Sequence, residues 1–282
     1  MQWKGRRESS NVDDRRGMTG KGLAVGGGVI GVLFVLVQFF LGDGDISTLQ
    51  QILPQEQAQE MTTQEKAADD ERAAFVKVVF ADTEDVWGKL FDNMGKVYQK
   101  PTLVLFRDMT SSACGTASSA SGPFYCPGDQ QVYIDLSFAQ ELKQRFGASG
   151  DFALAYVVAH EVGHHVQDLL GITGKMAQLR QQVGEKEYNK YSVRLELQAD
   201  FYAGLWAHYN QKMKNVIQPT DIREALEAAN AIGDDNLQRQ SQGSVTPDAF
   251  THGTSQQRMY WFKKGYETGD FNEGNTFAAN SY

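Results

Sequence analysis

The chain has 282 residues, 41% of them hydrophobic and 11% aromatic, enough to fill one large domain or two small ones and too apolar for disorder throughout. Its formal net charge is -8 and no basic patch stands out in the main body, which argues against a nucleic-acid partner. The two cysteines, Cys114 and Cys126, lie in a Gly/Ser/Ala-rich stretch. In an exported domain their spacing suits a disulfide, and in the cytosol a pair of free thiols.

Residues 1–22 carry six basic side chains (Lys4, Arg6, Arg7, Arg15, Arg16, Lys21) against three acidic ones, and read as a cytoplasmic basic tail. Leu23 to Leu41 follows without a charge, a run that a helix would stretch to roughly 28 Å, close to a bilayer's hydrocarbon thickness. Residues 23–42 are therefore expected to form one transmembrane helix, retained because no Ala-x-Ala-like cleavage site follows it. Basic residues before the span and Asp43 and Asp45 after it predict a cytoplasmic N-terminus and a body outside the cell inner or plasma membrane, where a Cys114–Cys126 disulfide would form. Residues 43–63 read as a polar linker and 64–282 as the folded domain.

Within that domain, periodicity predicts helices over 63–80 and 83–94, the second N-capped by Thr83. Residues 102–106 and 131–136 read as short strands, and an exposed strand edge beside a catalytic helix could hold an extended peptide. A helix follows Ser137, and the next begins at Asp151. Polar residues 173–188 suit a surface helix on the rim of a cleft. Further helices are expected over 191–206, 220–232 and 254–267, with a polar bridge and a loop over 233–253.

The chemistry is concentrated in Ala159 to Gln167, AHEVGHHVQ, which contains His-Glu-x-x-His as His160, Glu161 and His164. Residues four apart share a helix face, so both imidazoles can grip one zinc ion while Glu161 reaches a water bound to it. A random match in a chain of this length has a chance of roughly one in a hundred, so the motif needs a third ligand. The subclass with a third His six residues on is excluded, because Gln167 and Leu170 stand where it needs Gly and His. The later helix supplies carboxylates instead: Glu196 and Asp200 are four apart within YSVRLELQADFYAGLW. Glu196 is assigned as third ligand and Asp200 as the acceptor for a ligand imidazole's other N–H.

Zinc at His160, His164 and Glu196 would lower the pKa of its water, with Glu161 as general base and then as proton donor to the leaving amine. The oxyanion needs a further donor. His252, in FTHGTS, is the candidate, with Tyr260 and Tyr202 as fallbacks. His165 faces about 100 degrees away from His164 and belongs to the packing around the site, while His208 suits a helix-end surface position. Two rival functions share these residues: a membrane-tethered zinc-containing binding or assembly factor without turnover, and a zinc hydrolase of non-protein amides in the cell envelope.

AHEVGHHVQ, RLELQADFYAGLWAH, CGTASSASGPFYCPGDQQVYIDLSF and FTHGTSQQRMYWFKKGY together resemble the bacterial YpfJ-like neutral zinc metallopeptidase family over about residues 100–276, as does the basic, Gly-rich expected anchor. The resemblance implies a membrane-anchored zincin acting on a protein or peptide substrate, with Glu196 and Asp200 matching the family's Glu-x-x-x-Asp helix. The expected architecture is α+β: a mainly helical zincin-like domain with a small sheet, preceded by one N-terminal transmembrane helix.

Overall fold

The computed structural model describes residues 1–17, 61–118, 121–146 and 150–278. The expected span, 23–42, and most of the linker lie outside the described residues, and among those described no helix is long and apolar enough to cross a membrane. Residues Met1–Arg16 and Asp70–Tyr282 form one compact unit, and Gly17–Asp69 a second.

The N-terminal segment departs from expectation. Instead of a tail apart from the body, Val12–Asp14 forms strand β1, which pairs in parallel with β2, Thr102–Phe106. Its basic and polar side chains meet carboxylates on α1, Thr63–Asn93: Arg6 donates to Asp82, Arg7 to Glu84 and Asp85, and Ser9 and Asn11 to Glu84. Asp82 and Glu84 are buried, and an unpaired carboxylate there would be costly. The segment thus supplies part of the body's own charge balance.

Helix α1 is continuous where two helices were expected. Thr83 is not a cap; its hydroxyl bonds the Phe80 carbonyl one turn back at 2.7 Å and leaves the helix unbroken. Its true start is a reciprocal pair in which the Glu65 carboxylate accepts the Thr62 N–H at 2.7 Å and Thr62 Oγ1 accepts the Glu65 N–H at 3.2 Å.

The sheet order is β1-β2-β6-β5, with β6 (Gln131–Asp135) parallel to β2 and β5 (Phe124–Cys126) antiparallel to β6. The expected strand over 131–136 is thus interior, and the outermost strand next to it is β5. Strands β3 (Met109–Ser112) and β4 (Gly115–Ser118) make a separate hairpin, tied to β5 by a disulfide between Cys114 and Cys126.

Helices α2 (Phe138–Phe146), α3 (Asp151–Leu169), α4 (Ile172–Arg180), α5 (Glu185–Lys214), α6 (Pro219–Ala231), α7 (Asp234–Gln242) and α8 (Ser255–Thr268) follow, with short 3-10 turns at Pro247–Ala249 and Phe271–Gly274. Helix α7 replaces the expected polar bridge. Helix α3 is apolar around most of its circumference and lies in the core, with Phe152, Tyr156, Val158, Val162 and Val166 each fully buried. Helices α5 and α8 cross with almost no space between their backbones: a Cβ on Gly204 would sit 2.0 Å from the Phe262 carbonyl oxygen, and one on Gly265 2.1 Å from that of Phe201. That close crossing carries α8 to the side of the cleft.

Candidate metal centre

Helix α3 presents His160 and His164 one turn apart, and α5 crosses it at Gly163, where a Cβ would lie 3.1 Å from the Ala199 carbonyl oxygen. The crossing brings Glu196 over the histidine pair. His160 Nε2 is 3.1 Å from Glu196 Oε2, and His164 Nε2 is 3.4 Å from Glu196 Oε1. The three candidate ligand atoms lie within 4.8 Å of one another.

Each imidazole has its far nitrogen engaged. His160 Nδ1 is 2.8 Å from Asp200 Oδ1, the position expected of Asp200, and His164 Nδ1 is 2.8 Å from Gln167 Oε1. With both Nδ1 atoms held by oxygen acceptors, both Nε2 atoms face the Glu196 carboxylate. Two imidazole nitrogens and one carboxylate make a borderline-soft donor set suited to zinc, so these residues fit that ion.

The electrostatics favour a cation. Burial disfavours an imidazolium at His160, yet the Asp200 and Glu196 carboxylates outweigh it and push its pKa up to about 10. At His164 burial acts the same way and Glu196 again overcomes it. Burial opposes the charge on Glu196 too, but the facing imidazoles hold its carboxyl well below the usual range. Glu161 is raised by burial and partly restrained by the two histidines, as suits a carboxylate that must take up a proton.

Behind this set lies a charge pair that sequence reasoning missed. Arg258, on α8, is 3% exposed and donates from Nε and Nη2 to both oxygens of Asp200, at 2.9 and 3.0 Å. The Tyr156 hydroxyl donates to Asp200 Oδ1 at 2.6 Å. A signal was present: Arg258 shares the face of α8 that carries Trp261, Phe262 and Gly265, an apolar stripe where a charge needs a partner. Gln167, whose place in the sequence excludes the longer motif, has a structural role of its own. It bonds His164 and donates to the Leu195 carbonyl at 2.7 Å, linking the two ligand helices.

A cleft of about 520 Å³ opens over the histidines, with Glu161, Glu196, His252 and Arg258 in its lining and apolar walls that include Phe124, Phe138, Val157 and Ile232. Thr173 at the start of α4 forms part of its rim. His252 reaches this cleft from the loop before α8, held by Asp234: Oδ2 accepts the backbone N–H groups of Thr251, His252 and Gly253, and Oδ1 lies 3.2 Å from His252 Nδ1. That hydrogen bond raises the His252 pKa against the effect of burial.

The fallback donors are elsewhere. Tyr202 is in the core between Trp87 and Phe271, and Tyr260 is 44% exposed; neither is in the cleft lining. His165 is fully buried behind the site, as expected of a packing residue. His208 is not a plain surface residue, since its Nδ1 bonds the Tyr266 carbonyl at 2.8 Å.

Comparison with known proteins gives a family model described as "putative neutral zinc metallopeptidase", matched over residues 1–277. The chain is 52% identical to the uncharacterized protein YpfJ of Escherichia coli (strain K12), over 98% of this chain and 99% of that one. It is 47% identical to the uncharacterized protein Mb2605 of Mycobacterium bovis, over 64% of each. No solved structure matches it.

Proposed function

The chain belongs to the neutral zinc metallopeptidase family, and from that premise we propose that it is a zinc-dependent endopeptidase with His160, His164 and Glu196 as metal ligands and Glu161 as general base. The observation that carries this reading is the convergence of three ligand atoms within 4.8 Å, with each imidazole oriented from behind by its own oxygen acceptor.

A zinc ion bound there supplies Lewis acidity toward a peptide carbonyl and lowers the pKa of water. Glu161, buried beside the histidines, accepts the proton of the attacking water and delivers it to the leaving amine. His252, whose pKa is raised by the hydrogen bond to Asp234, donates to the carbonyl oxygen as negative charge develops. Strand β5, outermost on its side among the described residues, offers its edge to an extended substrate backbone, and the apolar cleft walls take side chains.

The full chain should bind close to one zinc per molecule and His160→Ala should lose it, while Glu161→Gln should keep the metal and lose peptide hydrolysis. Undiminished cleavage by Glu161→Gln would rule out the assigned base. A zinc-loaded wild-type protein that cleaves nothing in an unbiased peptide library would overturn the peptidase reading.

A further inference from the structure

Strand β5 is only three residues long and, among the described residues, pairs on one side alone, with β6. A strand so short has little of its own to fix its distance from the metal helix. What fixes it is Tyr125. Its hydroxyl donates to Asp168 Oδ2 at 2.9 Å and lies 3.0 Å from His165 Nδ1, both partners being on α3 beyond His164. His165 is fully buried, its Nε2–H donates to the Gln99 carbonyl at 2.6 Å, and its ring packs edge-on against Tyr125 and Tyr98 at 5.3 and 5.7 Å. One residue further on, Cys126 is joined to Cys114, so β5 is also tied to the β3-β4 hairpin.

We propose that Tyr125, braced by His165 and Asp168, is a positioning residue that holds β5 against α3, and so sets where a bound peptide backbone lies relative to Glu161. The second half of that statement rests on the peptidase reading; the first does not. His165, which follows the second candidate ligand, thereby has a use: its ring lies against the strand.

The test is Tyr125→Phe in the full zinc-loaded chain, which keeps the ring and removes the hydroxyl. Amide exchange at residues 124–126 should speed up about five- to tenfold, the range for losing one ordinary hydrogen bond, with β2 and β6 unchanged. Against peptides long enough to lie along β5, kcat/KM should fall by a similar factor, mainly through KM, and zinc content should stay the same. His165→Gln should produce the same local pattern. Unchanged exchange at 124–126, or acceleration spread equally over β2 and β6, overturns the assignment. If the wild-type protein cleaves no peptide, the peptidase reading fails by itself and the exchange result still decides the role of Tyr125.

A different observation carries a second inference. Strand β1 lies before the uncharged run Leu23 to Leu41 and β2 lies after it, yet the two are hydrogen-bonded neighbours in one sheet. We infer that residues 1–16 and the body occupy the same side of any membrane the chain meets, in place of the expected cytoplasmic tail and external body. The six N-terminal basic residues are then a poor guide to orientation, because Arg6, Arg7 and Arg16 are engaged by Asp82, Glu84, Asp85 and Asp70 of the body. Lys4→Cys and Val97→Cys, both at exposed positions, report on the two parts. In cells expressing the full chain, a membrane-impermeant maleimide should label both or neither before permeabilisation. Labelling of one alone overturns the inference.

Discussion

Arg258 places its guanidinium across both carboxylate oxygens of Asp200, at 2.9 and 3.0 Å, with Asp200 fully buried behind it. Asp200 thereby accepts from Arg258, from Tyr156 and from His160 at once, and burial cannot neutralise it: the neighbouring positive charges hold its carboxyl below the usual range. A carboxylate so fixed leaves the His160 ring one orientation, with Nε2 toward Glu196.

Removing either partner leaves the other charged and buried, so Arg258→Met and Asp200→Asn should each cost about 3–5 kcal/mol of stability in urea unfolding. Zinc affinity, read by chelator competition, should fall about 10–100-fold in Asp200→Asn. The double variant separates the two effects. It should regain stability relative to either single change, with zinc affinity still low, whereas strictly additive losses would show that the pair is not coupled.

His252 should act through its proton. Its pKa is raised by the hydrogen bond to Asp234, so the donor form persists above the usual histidine range and the rate should decline as pH rises through the shifted value. His252→Ala should lower kcat/KM by about 10²–10³ with zinc content intact. Asp234→Asn removes the cause of the shift, so the alkaline decline should move to lower pH. A profile identical to wild type would show that His252 is a bystander in the cleft.

The crossing of α5 and α8 has no room for a methyl group at Gly265, since a Cβ there would fall 2.1 Å from the Phe201 carbonyl oxygen. Gly265→Ala should destabilise by about 1–3 kcal/mol or more, and by forcing the helices apart should also loosen Arg258 from Asp200 and weaken zinc binding. Gly88 is the contrast: it lies inside α1, and a methyl group added there would meet nothing within 4 Å, so Gly88→Ala should stabilise by about 0.5–1 kcal/mol. Equal midpoints for the two variants would mean that the crossing can yield.

The convergence of the candidate ligand residues was legible because their geometry is local: residues four apart on α3, and four apart on α5, share a face whatever surrounds them. The polar partners behind them were not, since Arg258 reaches Asp200 across 58 residues and Asp234 reaches His252 across 18. Strands β1 and β5 are three residues each, too short for alternation to register, and their pairing depends on distant chain. The N-terminal basic residues read as a tail for the same reason: their counter-charges at Asp82, Glu84 and Asp85 lie more than seventy residues away. Helix α1 read as two because Thr83 is a good cap in isolation, whereas its hydroxyl is satisfied inside a continuous helix.

Glu84 tests how firmly the N-terminal segment belongs to the body. Its side chain is 1% exposed, and burial alone would raise its pKa. Hydrogen bonds from Ser9 and Asn11, together with Lys100, outweigh burial and lower it. A lowered folded-state pKa contributes stability that is present above the unfolded value and is lost as pH falls through the folded value. Ser9→Ala with Asn11→Ala removes two charge-assisted bonds and should cost about 2–4 kcal/mol at pH 7. As pH falls below the usual glutamate range, Glu84 becomes protonated in both proteins and the difference should narrow. Urea midpoints measured from pH 7 down to pH 3 check this. A gap that stays constant with pH would mean that the segment stabilises the body by packing alone, and a gap of zero at pH 7 would mean that β1 and its flanking residues contribute nothing to the fold.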